Sequence, residues 1–251
     1  MCVQILKPDL PDWPGARLFC STRLGGVSAH SYASLNLGDH VGDEPDSVSS
    51  NRQRLEAIWG AKPVFLQQVH GTDVVRLTSP PSEQGLQADA CFTHEKNLAC
   101  TIMVAGCLPV LFYLPQAKLV AAAHAGWRGL AAGVLEATLN RLAEFGRIET
   151  CRVWLGPCIG PQHFEVGEDV REAFCDTEPL GSDVFFNPFK PDKYLADLAG
   201  LARRRLSLQG ISQIEGNDSK PSWCTFSCSE LYYSHRRDGI SGRFAAGIAL
   251  V

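Results

Sequence analysis

Three residues have the chemistry of soft metal ligands and stand in similar local settings. His70 lies in Gln67-Gln68-Val69-His70-Gly71, Cys107 in Ala105-Gly106-Cys107-Leu108-Pro109, and His124 opens His124-Ala125-Gly126-Trp127-Arg128-Gly129. Two imidazoles and a thiolate suit zinc, and three protein ligands leave a fourth position open, the arrangement of catalytic rather than structural zinc. An open zinc site polarises a leaving group or brings the pKa of bound water to about 7. Spacing alone leaves another reading open: two hydrogen-bonded, half-buried histidines and a core cysteine. Neither H-x-x-x-H nor C-x-x-C is present to decide between them.

Short apolar segments must carry these residues. Strands are expected at 17–21, 64–69, 73–77, 98–103, 109–113, 119–123, 152–155, 211–215 and 244–250, most bounded by Gly, Pro or polar residues. His70, Cys107 and His124 would then project from strand ends or turns beside glycine, where a rigid sheet meets accessible backbone. Helical spacing predicts helices over 44–59, over 127–144 with Gly146 as its stop, and over 193–208 with Gly210 as its stop. This mixed order, with helices bunched late, argues α+β: mixed β-sheets flanked by helices in a single compact domain over 1–251.

The chain has 251 residues, 45% hydrophobic and 20% charged, enough to bury a full core. At a net charge of −4, with Arg203-Arg204-Arg205 expected on a solvated helix face, no nucleic-acid partner is implied. The start carries Pro8, Asp9, Pro11, Asp12 and Pro14 rather than the basic and apolar regions of a secretory signal. The apolar stretches at 98–104 and 108–114 fall far short of the roughly 20 residues that span a bilayer. A cytoplasmic protein without a membrane or obligate protein partner is expected. Its ten cysteines would then stay reduced, with Cys91, Cys100, Cys151 and Cys175 as core fillers.

A series of motifs carries a resemblance. Thr22-Arg23-Leu24-Gly25-Gly26-Val27-Ser28, Tyr32-Ala33-Ser34-Leu35-Asn36-Leu37-Gly38, His40-Val41-Gly42-Asp43 and Gln68-Val69-His70-Gly71 come first. Cys107-Leu108-Pro109-Val110, His124-Ala125-Gly126-Trp127-Arg128-Gly129, Trp154-Leu155-Gly156-Pro157, Phe164-Glu165-Val166-Gly167 and Arg236-Arg237-Asp238 follow. Over nearly the whole chain, and in order, these resemble the YfiH-type family, variously labelled polyphenol oxidase, laccase-domain protein, peptidoglycan editing factor and purine nucleoside phosphorylase.

The resemblance implies a YfiH-like fold and a Zn2+ ion on His70, Cys107 and His124. It implies phosphorolysis of adenosine, inosine and methylthioadenosine to free base and pentose 1-phosphate, with adenosine deamination as a companion activity. Its small-molecule partners would be a nucleoside and phosphate. Arg128, in a first helical turn, is a candidate phosphate binder, or else part of a surface ion pair. Arg23, Asn36, Gln68 and Arg236 are further substrate-binding candidates. His40 is a candidate acid or base, because imidazole as a side-chain type changes charge near neutral pH, or else a loop brace. One departure stands out: the family usually carries Asp directly before the metal cysteine, where this chain has Gly106. Its loss removes a general base or an orienting carboxylate.

Other functions meet the same inventory. A multicopper oxidase needs mononuclear and trinuclear centres rich in histidine, and this chain has seven histidines and no His-x-His pair. Copper-dependent polyphenol oxidation would have to use Cu2+ at the three-ligand site, where copper outcompetes zinc in affinity. The standard zinc-deaminase fingerprint fails, because His163-Phe164-Glu165 is followed by Cys224 and Cys228 at the wrong spacing; Glu165 then has a turn role. Two alternatives remain: a zinc amidase removing wrongly added serine from a muramyl nucleotide, and a metal-binding protein with weak catalysis because of Gly106.

Overall fold

Seven-residue apolar runs with no polar alternation need cover on both faces, and this dictates layers. The structure is a computed structural model that describes residues 3–6, 13–78, 85–176 and 181–251. Pro8 and Pro11 of the proline-rich start lie outside them.

In chain order, strands β1 (Ile5–Leu6) and β2 (Ala16–Ser21) precede helix α1 (Pro45–Trp59) and strands β3 (Lys62–Phe65), β4 (Val74–Arg76), β5 (Ala90–Thr93), β6 (Leu98–Val104), β7 (Leu108–Leu114) and β8 (Leu119–Ala125). Helices α2 (Trp127–Ala132) and α3 (Val134–Ala143) follow, then β9 (Arg152–Leu155), β10 (Glu165–Gly167), α4 (Glu168–Cys175), β11 (Phe186–Lys190) and β12 (Lys193–Ala196). Helix α5 (Leu198–Leu208), β13 (Gln213–Gly216), α6 (His235–Asp238) and β14 (Phe244–Leu250) complete the order.

Two large mixed sheets result, in orders β1-β2-β14-β6-β3 and β13-β9-β7-β8-β5-β4, with a small antiparallel sheet β10-β12-β11 beside them. Most pairs are antiparallel, but β3 with β6, β4 with β5, and β9 with β13 run parallel. Every residue of β6, β7, β8 and β14 is buried. Between the large sheets lie Cys100, Ile102 and Ile248 from one and Leu111, Val120 and Trp154 from the other. The outer face of the first sheet packs Phe19, Ala99 and Ala249 on Leu55 and Trp59 of α1, with Phe19 and Trp59 stacked 4.5 Å apart. The outer face of the second packs Val110, Phe112, Ala121 and Val153 on Leu135 and Leu139 of α3 and on Leu201 and Ala202 of α5. No helix of the described residues is long and apolar enough to cross a membrane.

Several expected elements change. The strand expected over 64–69 ends at Phe65, because the chain then leaves the sheet and the Gln68 amide clasps the Met103 backbone, with both hydrogen bonds at 2.9 Å. The strand expected over 119–123 runs on through Ala125, so His124 lies inside it. The helix expected over 127–144 breaks at Gly133, which adopts φ +99°, a left-handed conformation that suits glycine. Residues 193–196 form a strand, and the helix expected from 193 starts at Leu198, where the Asp197 side chain caps it by accepting from the Gly200 amide at 2.9 Å.

The arginine triplet is not simply solvated. Arg203 donates to the carbonyls of Ile214, Gly216 and Asn217, and Arg205 pairs with Glu136 at 2.6 Å. Cys91, Cys100 and Cys151 are buried as expected, whereas Cys175 is half-exposed at the end of α4.

Candidate metal centre

The three candidate ligands meet where the chain passes between the two large sheets. His70 lies in the segment from β3 to β4, Cys107 in the tight turn from β6 to β7, and His124 near the end of β8. The β7–β8 register sets Leu108 opposite Ala125, which places the Cys107 turn beside His124 and Gly126. The donor atoms of the three residues lie within 4.8 Å of one another. Cys107 Sγ is 3.8 Å from His70 Nε2, and the two imidazole rings are 4.8 Å apart at 70°. Two ligands of one tetrahedral zinc, with bonds of about 2.3 and 2.0–2.1 Å, stand about 3.5 Å apart, so the donor set fits that ion.

Asp89 builds the centre from behind. It is fully buried, and its carboxylate accepts from the amides of Val69 at 3.1 Å, His70 at 2.9 Å and Gly71 at 2.7 Å. The same carboxylate lies 2.8 Å from His124 Nδ1, so Nε2 is the nitrogen that would hold a metal. Its three amide bonds also hold His70 at φ +62°, a left-handed conformation that is costly for a residue with a side chain. Sequence reasoning missed this residue. The available signal was a lone acid opening an apolar run, Ala88-Asp89-Ala90-Cys91-Phe92.

Electrostatics favour a thiolate. Burial pushes the Cys107 thiol up, but the charge and hydrogen bonds of His124 and His70 outweigh it and bring it down to about 6. Burial lowers His124, and Cys107 and Asp89 more than reverse this, raising it to about 9. Burial pushes the Asp89 carboxyl up, but hydrogen bonds from His124 and from the Gly71 and Val69 amides overcome it and keep the group below its usual value.

Glycines make the close approach feasible. A Cβ on Gly126 would stand 2.7 Å from His70 Cδ2 and 3.1 Å from Cys107 Sγ. Gly106 adopts φ +126° with open space where a side chain would project. The Ile159 amide donates to the Gly106 carbonyl at 2.8 Å, and the His235 amide donates to the Ala105 carbonyl at 2.9 Å, fixing the turn that presents Cys107.

The remaining candidates take varied places. His40 is exposed and 3.4 Å from Asp39, on the wall of a cavity of about 750 Å³ that Arg52, Phe65, Gln68 and Val69 also line. This cavity adjoins the metal centre through Val69, but His70, Cys107 and His124 do not line it. Arg23 donates to the carbonyls of Ala33 and Ser229, so it ties loops together. Asn36 is fully buried and braces Gly38 and Asp43, and Gln68 holds Met103. Arg128 is exposed and lies over the Trp127 ring at 4.3 Å, in a helix of only six residues. Arg236 donates to the Glu165 carbonyl at 2.8 Å and lies over Phe164. Glu165 itself lies in β10 and pairs with Lys190 at 3.0 Å.

Comparison with known proteins gives the family. Residues 17–251 match the family model described as multi-copper polyphenol oxidoreductase laccase. The purine nucleoside phosphorylase YfiH of Escherichia coli is 48% identical over 250 residues, covering 98% of this chain and 99% of that one. The purine nucleoside phosphorylase PA4543 of Pseudomonas aeruginosa is 46% identical over 239 residues, covering 94% and 95%. The crystal structure of Neisseria meningitidis protein NMB0706 superposes with a TM-score of 0.90 at 40% identity, covering 98% of both chains. That of YlmD from Geobacillus stearothermophilus gives 0.91 at 32% identity, covering 98% and 96%. Among the described residues one group alone can gather a metal, which does not furnish the several centres of a multicopper oxidase. With the match running through all three ligands, the chain belongs to the YfiH-type, laccase-domain family.

Proposed function

We propose that the chain is a zinc-dependent purine nucleoside phosphorylase that converts adenosine, inosine and methylthioadenosine with phosphate to free base and pentose 1-phosphate, and that it also deaminates adenosine. The observation that carries this reading is the single His70–Cys107–His124 centre braced by Asp89, in a chain 48% identical to a protein named for phosphorolysis. Zinc there would supply a Lewis acid with one open coordination position.

The chain's own residues do the rest. Asp89 keeps His124 Nε2 forward and the His70 backbone in place, so the ligands need little rearrangement. The adjoining cavity of about 750 Å³ has the size of a small-molecule site, and Arg52 lies over the Phe65 ring on its wall at 4.1 Å. His40 lines that wall, and we take its imidazole as the candidate to exchange a proton with a nucleoside bound there. Phosphorolysis breaks the glycosidic bond as phosphate attacks the sugar carbon, and the departing base takes up a proton.

Incubation of zinc-loaded protein with adenosine, with and without phosphate, tests the reading. Adenine should appear only with phosphate, and inosine in both. Release of neither product would sink it.

Gly106 favours a second reading, a metal-binding protein of weak catalysis. Family resemblance expects Asp at that position, whereas this chain has a glycine in a conformation that disfavours any side chain. A full equivalent of bound zinc with no turnover of any of the three nucleosides would support it.

A further inference from the structure

Phosphorolysis needs a group that holds a tetrahedral oxyanion beside the metal, and the arginines expected to do so have other contacts. Arg23 and Arg236 bind backbone carbonyls, and Arg128 lies on Trp127. Arg243 differs. It directly precedes Phe244, the first residue of β14, which stands opposite Val104, three residues before Cys107. Its backbone is fixed, with its amide donating to Asn36 Oδ1 at 2.8 Å and its carbonyl accepting from the Leu37 amide at 3.0 Å. Its stem packs against Gly38, where a Cβ would meet Arg243 Cγ at 2.8 Å.

One arm of the fork is anchored. Nη1 donates to the Ser241 carbonyl at 2.8 Å and the Gly242 carbonyl at 3.1 Å. Nε and Nη2 have no acceptor among the described residues, and neither is sealed from solvent. No carboxylate pairs with this half-buried cation among the described residues. An anchored guanidinium with free donors, beside a cationic centre, suits an oxyanion.

We infer that Arg243 is the phosphate-binding residue of the metal centre. The inference rests on the phosphorolysis reading for its choice of anion. Calorimetric titration of inorganic phosphate into the zinc-loaded protein tests it, because zinc contributes equally to wild type and variants. Arg243→Gln should weaken phosphate binding about 10- to 100-fold, with zinc content and thermal melting close to wild type. Arg243→Lys, which keeps the charge but not the fork, should lose less. A folded, zinc-replete Arg243→Gln that binds phosphate like wild type overturns the inference, and so does a wild type that binds none at millimolar concentration. If the Gln variant does not fold, Arg243→Lys decides, and unchanged binding overturns the inference. Weakened phosphate binding without base release from any nucleoside would reject phosphorolysis and leave the site standing. Base release with an unchanged KM for phosphate in Arg243→Gln would reject the site and leave phosphorolysis standing.

Discussion

Asp89 joins two metal ligands that are 54 residues apart in the chain, counting from His70 to His124. Asp89→Asn keeps the shape but loses the charge and one acceptor, and its zinc affinity should fall about 10- to 100-fold; competition with a chelator measures this. Cys107→Ala should bind clearly less than one equivalent of zinc by metal analysis. In metal-free protein, Cys107 shares its half-exposure with Cys175 and Cys228, but its thiol is held down to about 6, whereas burial pushes both of theirs up, Cys175 to about 11. The thiolate is the form that reacts. Alkylation by iodoacetamide should therefore speed up as the pH rises through about 6, level off above it, and map to Cys107 by mass spectrometry. Added zinc should block it.

Elements set how closely the ligands approach. Gly126 starts α2 against His70 and Cys107, so Gly126→Ala should push the ligands apart and lower zinc affinity, read by the same chelator competition. Gly106→Asp restores the residue expected from the family, but φ +126° disfavours it. The variant should lose about 1–3 kcal/mol of stability in denaturant titration unless the turn refolds. A gain in nucleoside turnover despite that loss would assign the position a catalytic role. The same elements show where sequence patterns mislead. The spacing of Leu195, Leu198 and Leu201 reads as one helix, yet Asp197 caps only the part from Leu198. Gly133 divides what the apolar pattern of 127–144 reads as continuous, because periodicity registers which side chains face inward and not the backbone angle of a glycine.

At the scale of the whole molecule, the ligands come from three separate segments, and two of these connect one large sheet to the other. A bound metal therefore restrains both sheets. Zinc at 100 times its dissociation constant should add about 2.7 kcal/mol to stability, so melting temperature should rise with free zinc and fall with chelator in scanning calorimetry. A melt insensitive to both would show that His70, Cys107 and His124 hold no ion.

Residue type made His70, Cys107 and His124 candidates and family resemblance singled them out; the fold brings their donor atoms within 4.8 Å of one another. The α+β class was legible from the succession of short apolar runs and amphipathic stretches. Tertiary structure alone decided which groups stand around the triad. Asp89 reaches both histidines, and Arg243 leads into a strand paired with the one that ends at the Cys107 turn, because strands distant in sequence are neighbours in the sheets. Local pattern carries no information about such pairing: a buried carboxylate and a half-buried guanidinium look like any Asp and Arg until the partners that compensate their burial are in place.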